Sequence, residues 1–234
     1  YTAEWGVPDK AKREAIKAVT GAVGNKQALE HHGVRRLRLV DSLGGAARSF
    51  RVEWHFVTGL GLPHPVENGF LWHPTLGVPY LGGAAVKGLV RAWIEQWAEG
   101  LDAEQRRTRI SQWFGDLKGN PLKTGRAEED RSGWYVFLEA VPLQPPMLRA
   151  DIMTPHRGKW YEQGDARPLD PNVQPGDWHV PMPVPFLVVE QAVFLFSIGI
   201  RPGLPAAERQ QAEAERGEVL DALEQALAWL GAGA

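Results

Sequence analysis

The chain of 234 residues contains no cysteine and no apolar run that approaches the roughly 18 residues of a membrane-spanning helix. The lack of cysteine excludes disulfide bonds and thiolate metal sites, and it is compatible with a reducing compartment. A strong net charge is also missing, because 26 basic and 28 acidic side chains leave a charge of −2. Nucleic-acid binders usually carry a basic excess, so strong solitary binding to nucleic acid is not expected.

Common catalytic motifs are absent as well. The sequence has no HExxH pair, no GxxxxGK[ST] phosphate loop and no GxSxG nucleophile elbow, and its seven histidines are scattered. The densest group of candidate side chains is Asp151, His156, Tyr161 and Asp165, which could hold a divalent cation or supply acid–base groups. Ordinary turn chemistry at a strand end explains these residues more simply. We therefore expect no catalytic residue, no metal and no cofactor.

The most informative feature that is present is the stretch GVPYLGGAAVKGLVR, residues 77–91. An extended segment leads through Gly82 and Gly83 into a helix whose apolar side chains recur at helical spacing. A glycine turn at a helix start leaves backbone N–H groups free at the positive end of the helix dipole. Together with Lys87 and Arg91, this turn is a candidate phosphate site, and a turn that only packs a helix on a sheet fits equally well.

The same stretch resembles the signature of RAMP proteins, the RNA-binding subunits of CRISPR effector complexes, in which Pro-Gly-Ser-Ser-Leu-Lys-Gly precedes a helix. The matching positions are Gly83, Lys87, Gly88 and Arg91. Gly82 stands where the family usually has proline. Ala84 and Ala85 replace the two serines, so hydroxyl caps or hydroxyl contacts to phosphate cannot be carried over.

Further blocks resemble one RAMP subfamily, the sixth RAMP subunit of the type III-B (Cmr) module. They lie at residues 59–61, 64–73, 151–156 and 181–186, in the order that the family has. The resemblance implies a non-catalytic, cytoplasmic subunit that binds the guide crRNA near its 3′ end beside other RAMP subunits. Such a subunit supports target RNA capture in antiviral defence.

The resemblance also implies where RNA is bound. The expected contacts to RNA phosphates are Gly82, Gly83, Lys87 and Arg91, followed by a neighbouring turn with Gly59, Gly61, His64 and Asn68. Together with Lys87 and Arg91, further arginines could form a basic strip along the RNA: Arg36, Arg38, Arg149 and Arg157. His64 and Trp72 could stack on bases, although anchoring of their loop is the favoured role. Two alternatives stay open: a RAMP endoribonuclease with His156 or His64 as acid–base, and a protein-binding scaffold whose glycine turns serve packing.

Periodicity predicts a single α+β domain over residues 1–234, with a ferredoxin-like (RRM-like) order of elements. Helices are predicted over 9–24, 84–98, 102–114 and 205–230, and strands over 36–39, 50–56, 134–140, 147–152 and 192–200. A long Pro/Gly-rich insertion loop is predicted over 155–185. The pattern lacks the final strand of that fold. Because residues 231–234 resemble the start of the family's closing Gly-rich segment, we expect this strand to follow residue 234.

Ten tryptophans are many for this length. Four fall on apolar faces of predicted elements and are expected in the core: Trp54, Trp93, Trp97 and Trp134. Three lie in polar or Pro-rich loops: Trp72, Trp160 and Trp178. Because exposed aromatic side chains are enriched at interfaces, the 155–185 loop is a candidate docking site for a neighbouring subunit.

Overall fold

The computed structural model describes residues 9–116, 131–155, 157–176, 178–181 and 183–232. Its helices are α1 (Asp9–Ala18), α2 (Lys26–Ser42), α3 (Gly83–Gln96), α4 (Ala103–Phe114), α5 (Gly158–Gln163) and α6 (Ala206–Trp229). Its strands are β1 (Gly21–Ala22), β2 (Ala46–Arg51), β3 (Pro63–His64), β4 (Glu67–Asn68), β5 (Gly115–Asp116), β6 (Arg131–Ser132), β7 (Tyr135–Phe137), β8 (Val141–Pro142), β9 (Met147–Met153), β10 (Val184–Gln191) and β11 (Val193–Ile200). None of the helices in these ranges is long and apolar enough to cross a bilayer.

The main sheet has the strand order β2-β11-β7, and every pairing in it is antiparallel. The central strand β11 is the apolar run that the sequence predicts, and all of its residues after Val193 are buried. Helix α3 lies between β2 and β7 in the chain and α6 follows β11; the two helices contact each other and the sheet. Buried side chains from these elements form the main core, including Val86, Val90 and Leu223. The α+β fold class is therefore confirmed.

A second sheet, β1-β9-β10, lies beside the main one. Its longest pairing is between β9 and β10, in antiparallel register from Val184 opposite Met153 to Gln191 opposite Met147. The sequence predicts β9 but no strand at β10, because the start of β10 lies in the Pro-rich block at 181–186. The segment predicted as a loop over 155–185 thus contains α5 and ends inside β10.

The strand predicted over 36–39 is wrong, because these residues belong to α2. Asn25 caps this helix by accepting a hydrogen bond from the Ala28 N–H. The buried side of α2 carries residues at helical spacing, among them Leu29, Arg36 and Val40. Four alternating residues are too few to distinguish a strand from a helix whose period appears only over its full length.

The strand predicted over 50–56 is correct only in part. β2 ends at Arg51, and the Val52 N–H still donates to the Ala192 carbonyl, but Phe56 forms a bridge with Val189 of β10. The chain therefore passes from one sheet to the other between these points, and the alternation of buried side chains is lost. Trp54, predicted in the core, lies in this passage and is 80% exposed. Trp97, at the end of α3, is also exposed, so its predicted core position is wrong too.

Candidate nucleic-acid interface

The first turn of α3 is capped by a glycine and is exposed on one side. Gly82 is the N-cap residue, and without a side chain it makes no side-chain capping hydrogen bond. Its carbonyl accepts from the N–H groups of Ala85 (2.9 Å) and Val86 (3.0 Å). The N–H groups of Gly83 and Ala84 have no acceptor among the described residues, and the side chains of Ala84 and Ala85 are exposed. This helix end therefore combines open N–H donors with the positive end of the helix dipole.

The two glycines of this turn differ in what requires them. A Cβ at position 83 would lie 2.3 Å from the carbonyl oxygen of Phe137, whereas a Cβ at position 82 would meet nothing within 4 Å. The same open space surrounds Gly88 on the exposed side of α3. Gly83 thus serves close packing of α3 on β7, while Gly82 and Gly88 leave room for a ligand to approach the backbone.

Lys87 and Arg91 are half-buried and oriented by protein contacts. The Lys87 ammonium donates to the Phe114 carbonyl at the end of α4 (2.8 Å), and the Arg91 Nε donates to Oε1 of Glu95 (2.7 Å). Burial, and then the neighbouring Arg91, lower the pKa of Lys87. Since an ammonium has three N–H donors and a guanidinium has five, each side chain retains donors beyond these contacts.

The second glycine turn lies next to the first. The Thr58 hydroxyl donates to the Tyr80 carbonyl (3.2 Å), and the Leu71 N–H donates to the Thr58 carbonyl (2.9 Å). Gly59 has φ +79°, and a Cβ there would lie 2.7 Å from the Leu71 nitrogen, so this turn requires glycine. Gly61 is exposed with open space around it. The structure therefore places the predicted turn at 59–61 next to the chain segment that enters α3.

His64 and Asn68 belong to the short β3–β4 hairpin that follows this turn. The exposed His64 accepts a hydrogen bond from the Val66 N–H through Nδ1 (3.3 Å). The buried Nδ2 of Asn68 has no acceptor in the part of the chain that the structure describes. Both residues line a groove of about 120 Å³ between the hairpin, α1 and β10. Trp72 packs edge-on against Phe70 (5.1 Å) in the same groove, which supports the anchoring role.

Asp151 contacts a side chain that does not belong to the predicted group. Its carboxylate contacts His55, with 3.0 Å between Oδ2 and Nδ1, and accepts from the Ile152 N–H. Tyr161 is exposed on α5, and His156 lies outside the described residues. No group of three or more acidic or histidine side chains within the described ranges could hold a metal ion. The sequence pattern does not reveal this contact, because His55 is 96 residues away from Asp151.

Arg36 does not extend a basic surface. Its side chain is 8% exposed and donates to the Glu139 carbonyl (3.1 Å) and to the Glu139 carboxylate. The adjacent His32 lies 3.4 Å from the Arg36 guanidinium, and its pKa is lowered by burial and then by that guanidinium. Of the other candidates, Arg38 and Arg157 are exposed, and Arg149 is paired with Glu190.

The chain is similar to proteins of known families. A family model described as the RAMP superfamily matches residues 43–234. The CRISPR system Cmr subunit Cmr6 of Pyrococcus furiosus is 28% identical over an alignment 210 positions long, which covers 70% of this chain and 60% of that protein. The Cmr6 subunit of Saccharolobus solfataricus is 28% identical over 104 residues, covering 44% of this chain and 30% of that protein. The chain thus spans less than two thirds of either relative.

Similarity extends to solved structures. The cryo-EM structure of the type III-B Cmr-beta bound to cognate target RNA contains a chain that matches this one with a TM-score of 0.54 and 16% identity. The match covers 88% of this chain and 63% of that chain. At this level of identity, the likeness concerns the fold.

Proposed function

Because the chain belongs to the RAMP superfamily, we propose that it is a non-catalytic, RNA-binding subunit of a type III-B CRISPR (Cmr) ribonucleoprotein complex. The family match and the two Cmr6 relatives confirm the resemblance that the motifs indicated. In this proposal, the subunit holds the guide crRNA near its 3′ end, lies beside other RAMP subunits and supports capture of target RNA in antiviral defence.

The observation that carries the proposal is the start of α3. The N–H groups of Gly83 and Ala84 lie at the positive end of the helix dipole. Neither has an acceptor among the described residues. The space around Gly82 is open, and Lys87 and Arg91 follow on the same helix. Such an arrangement suits a phosphate group, and contacts of this kind position RNA without reading its sequence. A chain with a net charge of −2 binds in this way through a local site.

The topology supports a ferredoxin-like form of the RAMP fold. The order β2-β11-β7, with α3 after β2 and α6 after β11, corresponds to the first three strands and two helices of a split βαβ arrangement. The fourth strand of that fold would pair with the outer edge of β2. Among the described residues, this edge has no partner strand.

Exposed apolar side chains support docking of a neighbouring subunit on the segment between β9 and β10. They are Tyr161, Leu169, Trp178 and Val180. The backbone of this segment is ordered by hydrogen bonds. It forms α5 and then a turn in which the Val173 and Gln174 N–H groups donate to the Asp170 carbonyl. Large exposed aromatic and apolar groups on an ordered segment are typical of protein interfaces.

Arg91 provides a direct test of the phosphate site. We expect Arg91→Gln to weaken RNA binding by the assembled complex for every guide sequence, and to reduce the slope of log K against log salt by about one. Arg209→Gln is the matched control, because Arg209 is likewise paired with a glutamate four residues on but lies on α6. Equal salt slopes for both variants and the wild type would instead favour the scaffold alternative, in which the glycine turns serve packing.

We also propose that the chain does not cleave RNA. Asp151, the carboxylate of the densest candidate group, is engaged by His55 and by a backbone N–H. We expect the purified chain to leave repeat RNA uncut in the presence of Mg²⁺. Cleavage that disappears in the His64→Ala or His156→Ala variant would establish the endoribonuclease alternative.

A further inference from the structure

The passage between the two sheets holds an unusually exposed aromatic side chain. The Trp54 indole is 80% exposed and stacks on the His55 ring, with 5.2 Å between ring centroids and an interplanar angle of 23°. The His55 ring is held in turn by its contact with the Asp151 carboxylate. We name these three residues the aromatic platform. Its indole is supported on one face by protein and is largely open to solvent.

The aromatic platform is fixed relative to the two glycine turns. Phe56 follows it directly and pairs with Val189 through two backbone hydrogen bonds of 3.0 and 2.8 Å. Two residues later, the buried Thr58 binds the Tyr80 carbonyl and precedes Gly59. The indole is therefore connected to the candidate phosphate-binding turns through short, hydrogen-bonded segments of backbone.

The surroundings of the indole favour one kind of occupant. Nearby in sequence, Arg51 and Glu53 are exposed, and His55 and Asp151 form the support. The exposed Ile152 follows Asp151 in β9, and because side chains alternate along a strand it lies on the opposite face. A protein partner would be expected to cover a contiguous apolar patch. A single flat ring among polar groups suits a nucleobase, which has a π-face and a polar edge.

The charges next to the indole are mixed, because both the exposed Arg51 and the exposed Glu53 precede it closely in sequence. The Glu53 carboxylate can accept hydrogen bonds from the amino groups on base edges, and stacking uses the ring face that every base has. Phosphates would bind at the start of α3, which bears the free N–H groups. The two sites would thus take different parts of the same strand.

We propose that the aromatic platform is a stacking site for one unpaired RNA base, with Trp54 five residues before the glycine turn at 59–61. This inference rests on the proposed RNA-binding function and adds a second, chemically distinct contact to it. Stacking on an indole tolerates any base, so the site would hold an unpaired nucleotide of the bound RNA whatever its sequence.

The test uses the assembled complex with the full-length chain and measures its affinity for guide RNA. We expect Trp54→Ala to weaken binding about tenfold and Trp54→Phe to weaken it less, because loss of one stacked base has an effect of this order. Trp229→Ala is the matched control, because Trp229 is 75% exposed at the end of α6. A complex with this variant should bind RNA with the wild-type affinity. Thermal unfolding should be similar for all variants, since the side chains are exposed.

Scanning the guide with single abasic nucleotides identifies the stacked base. At one position, loss of the base should weaken wild-type binding about tenfold and should have no further effect in the Trp54→Ala variant. If Trp54→Ala binds RNA with unchanged affinity while Arg91→Gln binds it more weakly, the base-stacking role of the platform is wrong and the proposed function stands. Unchanged affinity in both variants would remove the proposed function itself. Loss of a protein subunit from Trp54→Ala complexes at unchanged RNA affinity would also overturn the inference.

Discussion

Replacing Ala85 by glutamate is expected to stabilise α3 and at the same time to reduce the guide RNA retained by the complex by at least about tenfold. Ala85 is exposed in the first turn of the helix, close to the free N–H groups of Gly83 and Ala84. A carboxylate there interacts favourably with the helix dipole, by about 0.3–1 kcal/mol. The same charge repels a phosphate group from the site. Stability and RNA binding therefore change in opposite directions.

The matched control is Ala85→Gln, which introduces a side chain of nearly the same size without the charge. Guide RNA retained per complex and the thermal unfolding temperature of the free subunit are the two measurements. We expect the Gln variant to retain nearly all of the RNA. Equal retention by the Glu and Gln variants would show that no phosphate binds at the start of α3, because a phosphate at that site would be repelled by the added charge.

Replacing Gly83 by valine is expected to lower the free energy of unfolding by about 3 kcal/mol or more, which is at the upper end for overpacking. The new Cβ would lie 2.3 Å from the Phe137 carbonyl oxygen and 3.1 Å from the carbonyl carbon. Phe137 belongs to β7, which pairs with the buried central strand β11, so its backbone has little freedom to move. α3 would have to shift away from the sheet, and the core contacts of Val86 and Val90 would be lost.

Gly88→Ala in the same helix is the control, since its Cβ would meet nothing within 4 Å. Alanine is the better helix former by about 1 kcal/mol, so this variant should be more stable than the wild type. Urea unfolding followed by circular dichroism measures both changes. If Gly83→Val unfolds at the wild-type urea concentration, the close packing of α3 on β7 is wrong.

Elements with a long and regular pattern could be predicted from the sequence. α3, α4 and α6 have helical periodicity over at least three turns, and β11 is a continuous apolar run. The errors arose where tertiary pairing determines the structure. β10 contains Pro185 and begins inside a Pro-rich block, and its long pairing with β9 is what makes it a strand. The exposure of Trp54 depends on a change of sheet that alternation alone does not reveal.

The candidate site shows the same limit. The glycine turn before α3 is a local feature, and its position as N-cap follows from residues that are adjacent in sequence. The contacts of the charged side chains are long-range: Lys87 binds the Phe114 carbonyl, and Arg36 is neutralised by Glu139. Which cations face RNA is therefore a property of the folded chain, and the sequence could only propose candidates.

The central claim is that this chain holds RNA as part of a Cmr complex, and ultraviolet crosslinking of the co-purified particle tests it most directly. A tagged full-length protein is purified from its own cells, irradiated and digested, and crosslinked peptides are identified by mass spectrometry. We expect small guide RNAs and other RAMP subunits to co-purify, with crosslinks at residues 82–91 and at Trp54. Co-purification of the subunits and RNA with no crosslink to this chain, or purification without any RNA, would contradict it.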